Sequence, residues 1–374
     1  MCRIFFFGVL MNKTVKKIVI PVLAVFLALL LVVIGYLAYV IIDYDRIEDY
    51  QTLDVEGTSD ALVETGTTYT ILTQNVGFGA YTADFTFFMD GGTQSRAESE
   101  ESVKTCISKT GEILSSYNPD FVLIQEVDFD STRSYHVNQK DMLAQTFASY
   151  TSVFAVNYHS SYLMFPLSEP HGASNSGLLT LSKNKISSSI RRSLPISTGF
   201  SKFLDLDRCF SVTRLPVENG KELVLYNVHM SAYGGSDEIR AAQMGMLFQD
   251  MLSEYEKGNY CVCGGDFNHD FTGNSIEALN PSSDNSAAES FGWAQPFPVD
   301  LMPEKGISRA MDYTCGEQRE TCRNCDIPYE KGNFVIIVDG FLVSDNVKVE
   351  YLENVQLAFA YSDHNPVLMK FVLE

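Results

Sequence analysis

Positive charge is what this sequence has least of relative to its partner: 27 Lys and Arg stand against 47 Asp and Glu, a formal charge of −20 at pH 7. All 47 acidic residues, but only 23 of the basic ones, follow residue 42, leaving that part with an excess of 24 negative charges. Such a surface repels polyanions over roughly a Debye length of 10 Å. It argues against a chain that coats nucleic acid, but not against an enzyme that meets phosphate in one metal-lined cleft. Internal repeats and low-complexity tracts are also missing. Apolar content of 45% and charged content of 20% are ordinary for a globular protein, and 374 residues suffice for one large α/β domain.

Charge is absent altogether from residues 18–42, IVIPVLAVFLALLLVVIGYLAYVII. At ~1.5 Å rise per residue, such a helix spans the roughly 30 Å of a bilayer core. No small-residue cleavage pattern follows it, so the expectation is an uncleaved transmembrane signal anchor. Arg3, Lys13, Lys16 and Lys17 precede the run, and Asp43, Asp45, Glu48 and Asp49 follow it. The positive-inside rule then makes 1–17 a cytoplasmic N-terminus and puts the rest outside the cell membrane. Met11 is an alternative start, since MNKTVKK and the apolar run form an anchor on their own.

Seven cysteines follow the anchor, and an extracellular setting permits disulfides. The Cys315, Cys322, Cys325 cluster is where one is expected. A zinc site there lacks a fourth ligand, and Cys261 and Cys263 alternate as core strand residues do.

Residues 43–68 are polar, acidic and without apolar periodicity, and read as a linker. Residues 69–374 read as the catalytic domain. Within it, strands are expected at 69–74, 121–125, 151–157, 177–182, 210–215, 222–229, 260–264, 334–343, 347–352 and 366–372. Helices are expected at 98–117, stopped by Asn118-Pro119, and at 239–255, with Ala242, Met246, Leu247 and Met251 on one face. Sheets packed together and covered by helices follow, a layered α/β or α+β domain. The Pro-, Gly- and Cys-rich stretch 291–332 is either an insertion or a long active-site loop.

Polar groups recur where apolar strands end. YTILTQ runs into Asn75, FVLIQ into Glu126, and ELVLYNVH into Asn227 and His229. YCVCGG runs into Asp266 and Asn268, FVIIVDG carries Asp339, and YSDHNPV places Asp363 and His364 before the last strand. One Glu with Asp and Asn oxygens suits a hard divalent ion, Mg²⁺ or Mn²⁺. Two histidines can act as base and acid, and Asn can donate to phosphate oxygens without adding charge. The combination fits attack of water on a phosphate ester. Each residue taken alone has a plainer reading: Glu126 as a loop start, Asp266–Asn268 as an Asx turn, His229 as a satisfied core histidine, Asp363-His364 as a turn. Their joint occurrence at successive strand ends is what favours chemistry.

The pieces TQNVG, IQEVD, SGLLTLSK, YNVHMSAYG, GGDFNHD, VDGFLVS and YSDHNPV, in this order, resemble the endonuclease/exonuclease/phosphatase superfamily, which includes deoxyribonuclease I, sphingomyelinases and inositol phosphate phosphatases. The resemblance implies a deoxyribonuclease I-like, four-layer sandwich of two packed β-sheets flanked by helices, beside the one N-terminal transmembrane helix. It implies Glu126 as main metal ligand with Asn75 beside it and Asp363 supporting. It makes His364 the general base oriented by Asp339, has Asp266 and Asn268 position water and phosphate, and makes His229 a general acid or phosphate donor. Abasic-site endonucleases lack that second histidine, so DNA repair is disfavoured.

Asn227, Asn268, Arg133 and His136 are candidates for substrate binding, with Arg96, Arg208 and Arg240 as further phosphate contacts. Phe85, Phe87 and Phe88 would wall the cleft, touch lipid or simply pack. His269 and Asp270 read as structural, and the two glycines of GGDFNHD as a sharp turn. Gly340 stands where many members carry Tyr, so the packing behind the Asp339–His364 pair is expected to differ. The reading is a metal-dependent phosphoesterase, a phosphodiesterase in preference to a phosphatase. Phospholipid headgroups, nucleic acid and small phosphate esters remain open as substrates. The alternatives are a surface binding module that keeps the fold and a nuclease acting on extracellular nucleic acid.

Overall fold

A computed structural model describes residues 13–199, 202–205, 207–232, 236–280, 294–314, 316–330 and 333–374. The chain divides into two compact units, Met1–Asp45 and Arg46–Glu374. In the first, helix Lys13–Asp43 contains a 27-residue apolar stretch, Lys17–Asp43, within which an 18-residue window reaches a mean hydropathy of 3.2. At ~1.5 Å per residue it is long and apolar enough to cross a membrane.

The second unit is built on two seven-stranded mixed sheets. One runs, in spatial order, Gln51–Thr52, Ser188–Ser193, Cys209–Pro216, Glu222–His229, Tyr260–Asp266, Asp339–Ser344 and Ile307–Arg309. The other runs Val347–Asn354, Val367–Leu373, Thr68–Asn75, Phe121–Asp128, Gly172–Ser182, Thr151–Leu163 and Val55–Glu56. Each has one parallel pair near its centre: Glu222–His229 with Tyr260–Asp266, and Thr68–Asn75 with Phe121–Asp128. Both pairs therefore end at the same edge of their sheets, which is how polar residues at successive strand ends come to share a rim.

Strand alternation sorts the side chains into layers. Ile71, Phe121, Leu123, Leu225, Val262, Phe341 and Met369 meet between the sheets. Leu72, Val122, Ile124 and Leu368 face the other way, onto Val103, Ile107 and Leu114 of helix Glu100–Ser116 and Leu143 of helix Gln139–Thr146. Val224, Tyr226, Cys261, Cys263 and Leu342 face Met244, Leu247, Phe248 and Met251 of helix Asp237–Glu256. The result is a four-layer sandwich. Both long helices begin at a serine whose side chain accepts a backbone N–H, Ser99 from Ser102 and Ser236 from Ile239, with two acidic residues in each first turn.

Several expectations need correction. The 43–68 stretch is no free linker: from Arg46 it belongs to the second unit, Gln51–Thr52 and Val55–Glu56 close the sheet edges, and Val63 is fully buried. Its acidic residues have local partners, such as Asp49 with Arg192 at 3.1 Å, so low apolar content did not prevent docking. The buried face of helix Asp237–Glu256 carries Met244 and Phe248, while Ala242 is exposed. The strand expected over 334–343 breaks into Val335–Ile336 and Asp339–Ser344. Among the described residues Cys322 and Cys325 are buried and not bonded to each other, and Cys315 lies outside the described residues, so the expected disulfide is not formed between the former two.

Candidate active site

Strand Phe121–Asp128 is interrupted by a bulge between Ile124 and Val127, and there Glu126 takes a φ of 55°. An apolar strand buried on both faces would hide a carboxylate; the bulge re-aims it into the cavity at the strand ends. Asn75 ends the adjacent strand. Its amide nitrogen donates to Glu126 Oε1 at 3.1 Å and Asp266 Oδ2 at 3.0 Å, and its oxygen accepts from Gly77 N–H at 2.9 Å. Asn75 thus ties two carboxylates drawn from different sheets.

Strand Tyr260–Asp266 does not turn at its glycines but continues through them. Gly265 has a φ of 148°, and a Cβ there would lie 2.1 Å from Val228 O. Glycine is needed for the close approach of the parallel neighbour that carries His229. Beyond it, Asp266 Oδ1 accepts the Asn268 N–H at 2.9 Å, and Asn268, at φ 50°, anchors its amide on Met230 O at 2.9 Å. His269 bonds to Phe267 O, and Asp270 caps Ser275, so both hold the loop as expected.

His364 Nδ1 is 2.8 Å from Asp339 Oδ2, with both side chains buried. Among the described residues Asp339 Oδ1 has no hydrogen-bond partner. At Gly340, next to Asp339, the Phe271 ring takes the space of a side chain, since a Cβ there would fall 2.5 Å from it. The two imidazoles converge on one atom: His229 Nε2 lies 3.5 Å and His364 Nε2 3.8 Å from Asp266 Oδ2, and His229 Nε2 lies 4.0 Å from Glu126 Oε1. Glu126, Asp266, Asp363, His229, His364 and Asn268 line a single cavity.

The electrostatics follow from burial and crowding. Burial drives Asp266 up to about 7 against the pull of His364, with Asp339 adding to the rise. Burial likewise lifts Asp363 to about 7, and Glu126 adds to it while His364 and Arg323 oppose it. Burial would lower His364, but Asp339, Cys322, Asp363 and Asp266 together hold it well above its ordinary value. Burial, with Arg208, His364 and Arg133, holds His229 well below, so it is a neutral imidazole.

Crowded, buried carboxylates with an unpartnered oxygen are a donor set suited to a hard divalent cation. Asp266, Asp339 and His364 each bring a ligand-type atom within 4.8 Å of the others. Glu126 and Asp363 supply further carboxylates to the same cavity.

The other candidates divide. Arg133 lines the cavity, held to Asp128 by bonds of 3.0 and 2.8 Å and stacked 4.1 Å over Phe78. Arg208 lines it too. Asn227 does not: its amide is spent on Ile124 O, Leu179 O and Thr180 Oγ1 and its oxygen on Gln125, which makes it a buried tie between the sheets. His136 lies on the surface, paired with Asp130 at 2.6 Å. Arg96 is bound to Pro170 O and Arg240 to Asp237, and neither lines the cavity. Phe87 walls the cavity, whereas Phe85 is core.

Sequence reasoning missed His171, Tyr158, Asn157, Cys322 and Arg323, which also line it. Asn157 and Tyr158 sit at a second bulge, between Val156 and Tyr158. A polar residue inside an apolar strand was the available signal. Cys322 pairs with His364 as an isolated bridge, and Arg323 N–H donates to Asp363 O at 3.0 Å, so the Cys-bearing stretch is part of the active-site wall.

The Endonuclease/Exonuclease/phosphatase family profile matches residues 72–364, the stretch that carries every strand end described above. The chain belongs to this family. With that membership goes the assignment as a hydrolase of ester bonds. Among solved structures, an endonuclease/exonuclease/phosphatase from Beutenbergia cavernae DSM 12333 is similar at 16% identity, covering 82% of this chain and 72% of that one, with a TM-score of 0.51. ANGEL2, a 2',3'-cyclic phosphatase in complex with adenosine-2',3'-vanadate, is similar at 15% identity over 88% of this chain and 100% of that one, with a TM-score of 0.54. At these identities the likeness is one of fold, and it agrees with the two-sheet sandwich. A search of curated protein sequences gives no significant match.

Proposed function

We propose that the protein is a membrane-anchored, divalent-metal-dependent phosphodiesterase whose catalytic domain lies outside the cell. The observation that carries the reading is the meeting of His229 and His364 at one oxygen of Asp266, with Glu126 beside them. The acidic domain following a basic, apolar N-terminal segment supports the anchored, outward orientation.

Glu126 and Asp363 would hold the cation, with Asn75 fixing Glu126. A bound Mg²⁺ or Mn²⁺ would polarise a phosphoryl oxygen and offset the carboxylate field that keeps His364 protonated. His364, its Nδ1–H held by Asp339, presents Nε2 to the cavity and takes a proton from the attacking water. Asp266, itself fixed by Asn75 and the Asn268 N–H, orients that water. His229, neutral, donates Nε2–H to a phosphoryl oxygen, and Asn268 borders the same space. The water oxygen bonds to phosphorus, the bond from phosphorus to the leaving oxygen breaks, and a proton passes to that oxygen. Products are an alcohol and a phosphomonoester.

The test is release of p-nitrophenol from bis(p-nitrophenyl) phosphate by the full chain in detergent. Turnover with Mn²⁺ or Mg²⁺ that chelation abolishes is expected. Absence of turnover under every metal condition would refute the reading.

A further inference from the structure

The hairpin joining strands Thr151–Leu163 and Gly172–Ser182 ends in the sequence YLMFPLSEP. Its tip exposes Tyr162 at 38%, Met164 at 47%, Phe165 at 67% and Leu167 at 82%. From Ser161 to Pro170 the single charged residue is Glu169, in a part of the chain with 24 excess negative charges. Single exposed apolar residues are ordinary, but four on one turn are a patch that calls for a partner.

This patch is continuous with the active-site cavity. The Phe165 ring lies 5.8 Å from Phe88, and Phe88 lies 6.1 Å from His171. His171 N–H also donates to Phe165 O at 3.2 Å. His171 and Phe87 line the cavity, as does Met89, itself 36% exposed. An apolar path thus runs from the hairpin tip to the cavity wall.

We infer that the tip is a bilayer-contacting rim that admits a lipid-borne phosphoester, from a zwitterionic membrane surface, to the cavity. The inference rests on the phosphodiesterase reading and narrows its substrate. Three observations favour lipid as the occupant. The same chain carries a 27-residue candidate membrane span. The tip is a hairpin end that exposes Met164, Phe165 and Leu167, which suit immersion at an interface. The acidity of the rest of the domain disfavours an anionic surface, and residues 162–168, which include no charged residue, are where a zwitterionic one is approached without repulsion. Hydrolysis there consumes one water and divides the lipid into an alcohol and a phosphomonoester.

The experiment uses the full chain in phosphatidylcholine nanodiscs with Mn²⁺, and compares turnover of phosphatidylcholine and sphingomyelin with that of water-soluble bis(p-nitrophenyl) phosphate. The double variant Phe165→Ser, Leu167→Ser is expected to lower the ratio of lipid to soluble turnover at least tenfold; an unchanged ratio overturns the inference. Wild-type turnover of the soluble diester without any of either lipid overturns it too, while leaving the phosphodiesterase reading intact. Failure on all three sinks that reading. A separate readout needs no turnover: Phe165→Trp in nanodiscs of brominated phosphatidylcholine is expected to add strongly quenched emission to the wild-type spectrum. Added emission that bromine leaves unquenched overturns the rim.

Discussion

Replacing Asp339 by Asn changes one charge and little shape. The carboxylate accepts from His364 Nδ1 at 2.8 Å, and its backbone N–H is fixed on Thr321 Oγ1 at 3.1 Å, so the side chain has little freedom to relax. Two unit charges at that distance attract by ~6 kcal/mol at an effective dielectric of ~20, an upper bound on what the imidazolium formed in the reaction loses. A charge-assisted hydrogen bond is worth roughly 1.5–3 kcal/mol net, a lower bound. Between them, a loss of about 3–4 kcal/mol is expected, or ~10²–10³-fold in kcat at 1.36 kcal/mol per decade. KM should stay within about threefold, because Asp339 is buried behind His364 and outside the cavity lining. The assay is steady-state hydrolysis of a soluble phosphodiester by full chain that melts within a few degrees of wild type. A folded Asp339→Asn variant with near wild-type kcat would refute the orienting role.

Asn227→Leu should cost ~2–4 kcal/mol in denaturant unfolding, because Gln125 and two buried carbonyls lose their partner, and any KM change beyond the effect of instability would restore a substrate role. Arg133→Met should cost ~3–5 kcal/mol by leaving Asp128 charged and buried; a melt within a degree of wild type would contradict the pairing. Burial would raise Glu254, but hydrogen bonds from Arg214, Lys257 and Asn259 outweigh it and hold the group at about 2. Its stabilisation is therefore present above the unfolded value of 4.5 and lost as pH falls towards 2, by at most ~3 kcal/mol. Glu254→Gln should flatten the unfolding free energy across that window, and parallel pH curves for variant and wild type would exclude the effect.

The strands were readable because this fold buries them on both faces. FVLIQ and YCVCGG are continuous apolar runs that end abruptly in acid or amide, and the site residues are those endings. Asn227 shares that position and yet is structural, since sequence order cannot tell a strand-end amide facing the cavity from one facing the second sheet. The edge strands Gln51–Thr52 and Val55–Glu56 were illegible, being two residues long and held by backbone pairing and ion pairs. Arg323 and His171 reach the cavity from stretches without periodicity and Tyr158 from a bulge within strand Thr151–Leu163, and only the packing of 322–324 against the Asp363-His364 turn reveals the first of them.

The most direct measurement is metal-dependent hydrolysis of a soluble phosphodiester by the full chain, set beside Glu126→Gln and His364→Ala. Hydrolysis that requires Mn²⁺ or Mg²⁺ and falls at least ~10²-fold in each folded variant is the predicted result. Turnover that survives chelation, or survives both substitutions, would contradict a single metal-and-imidazole centre at the strand ends.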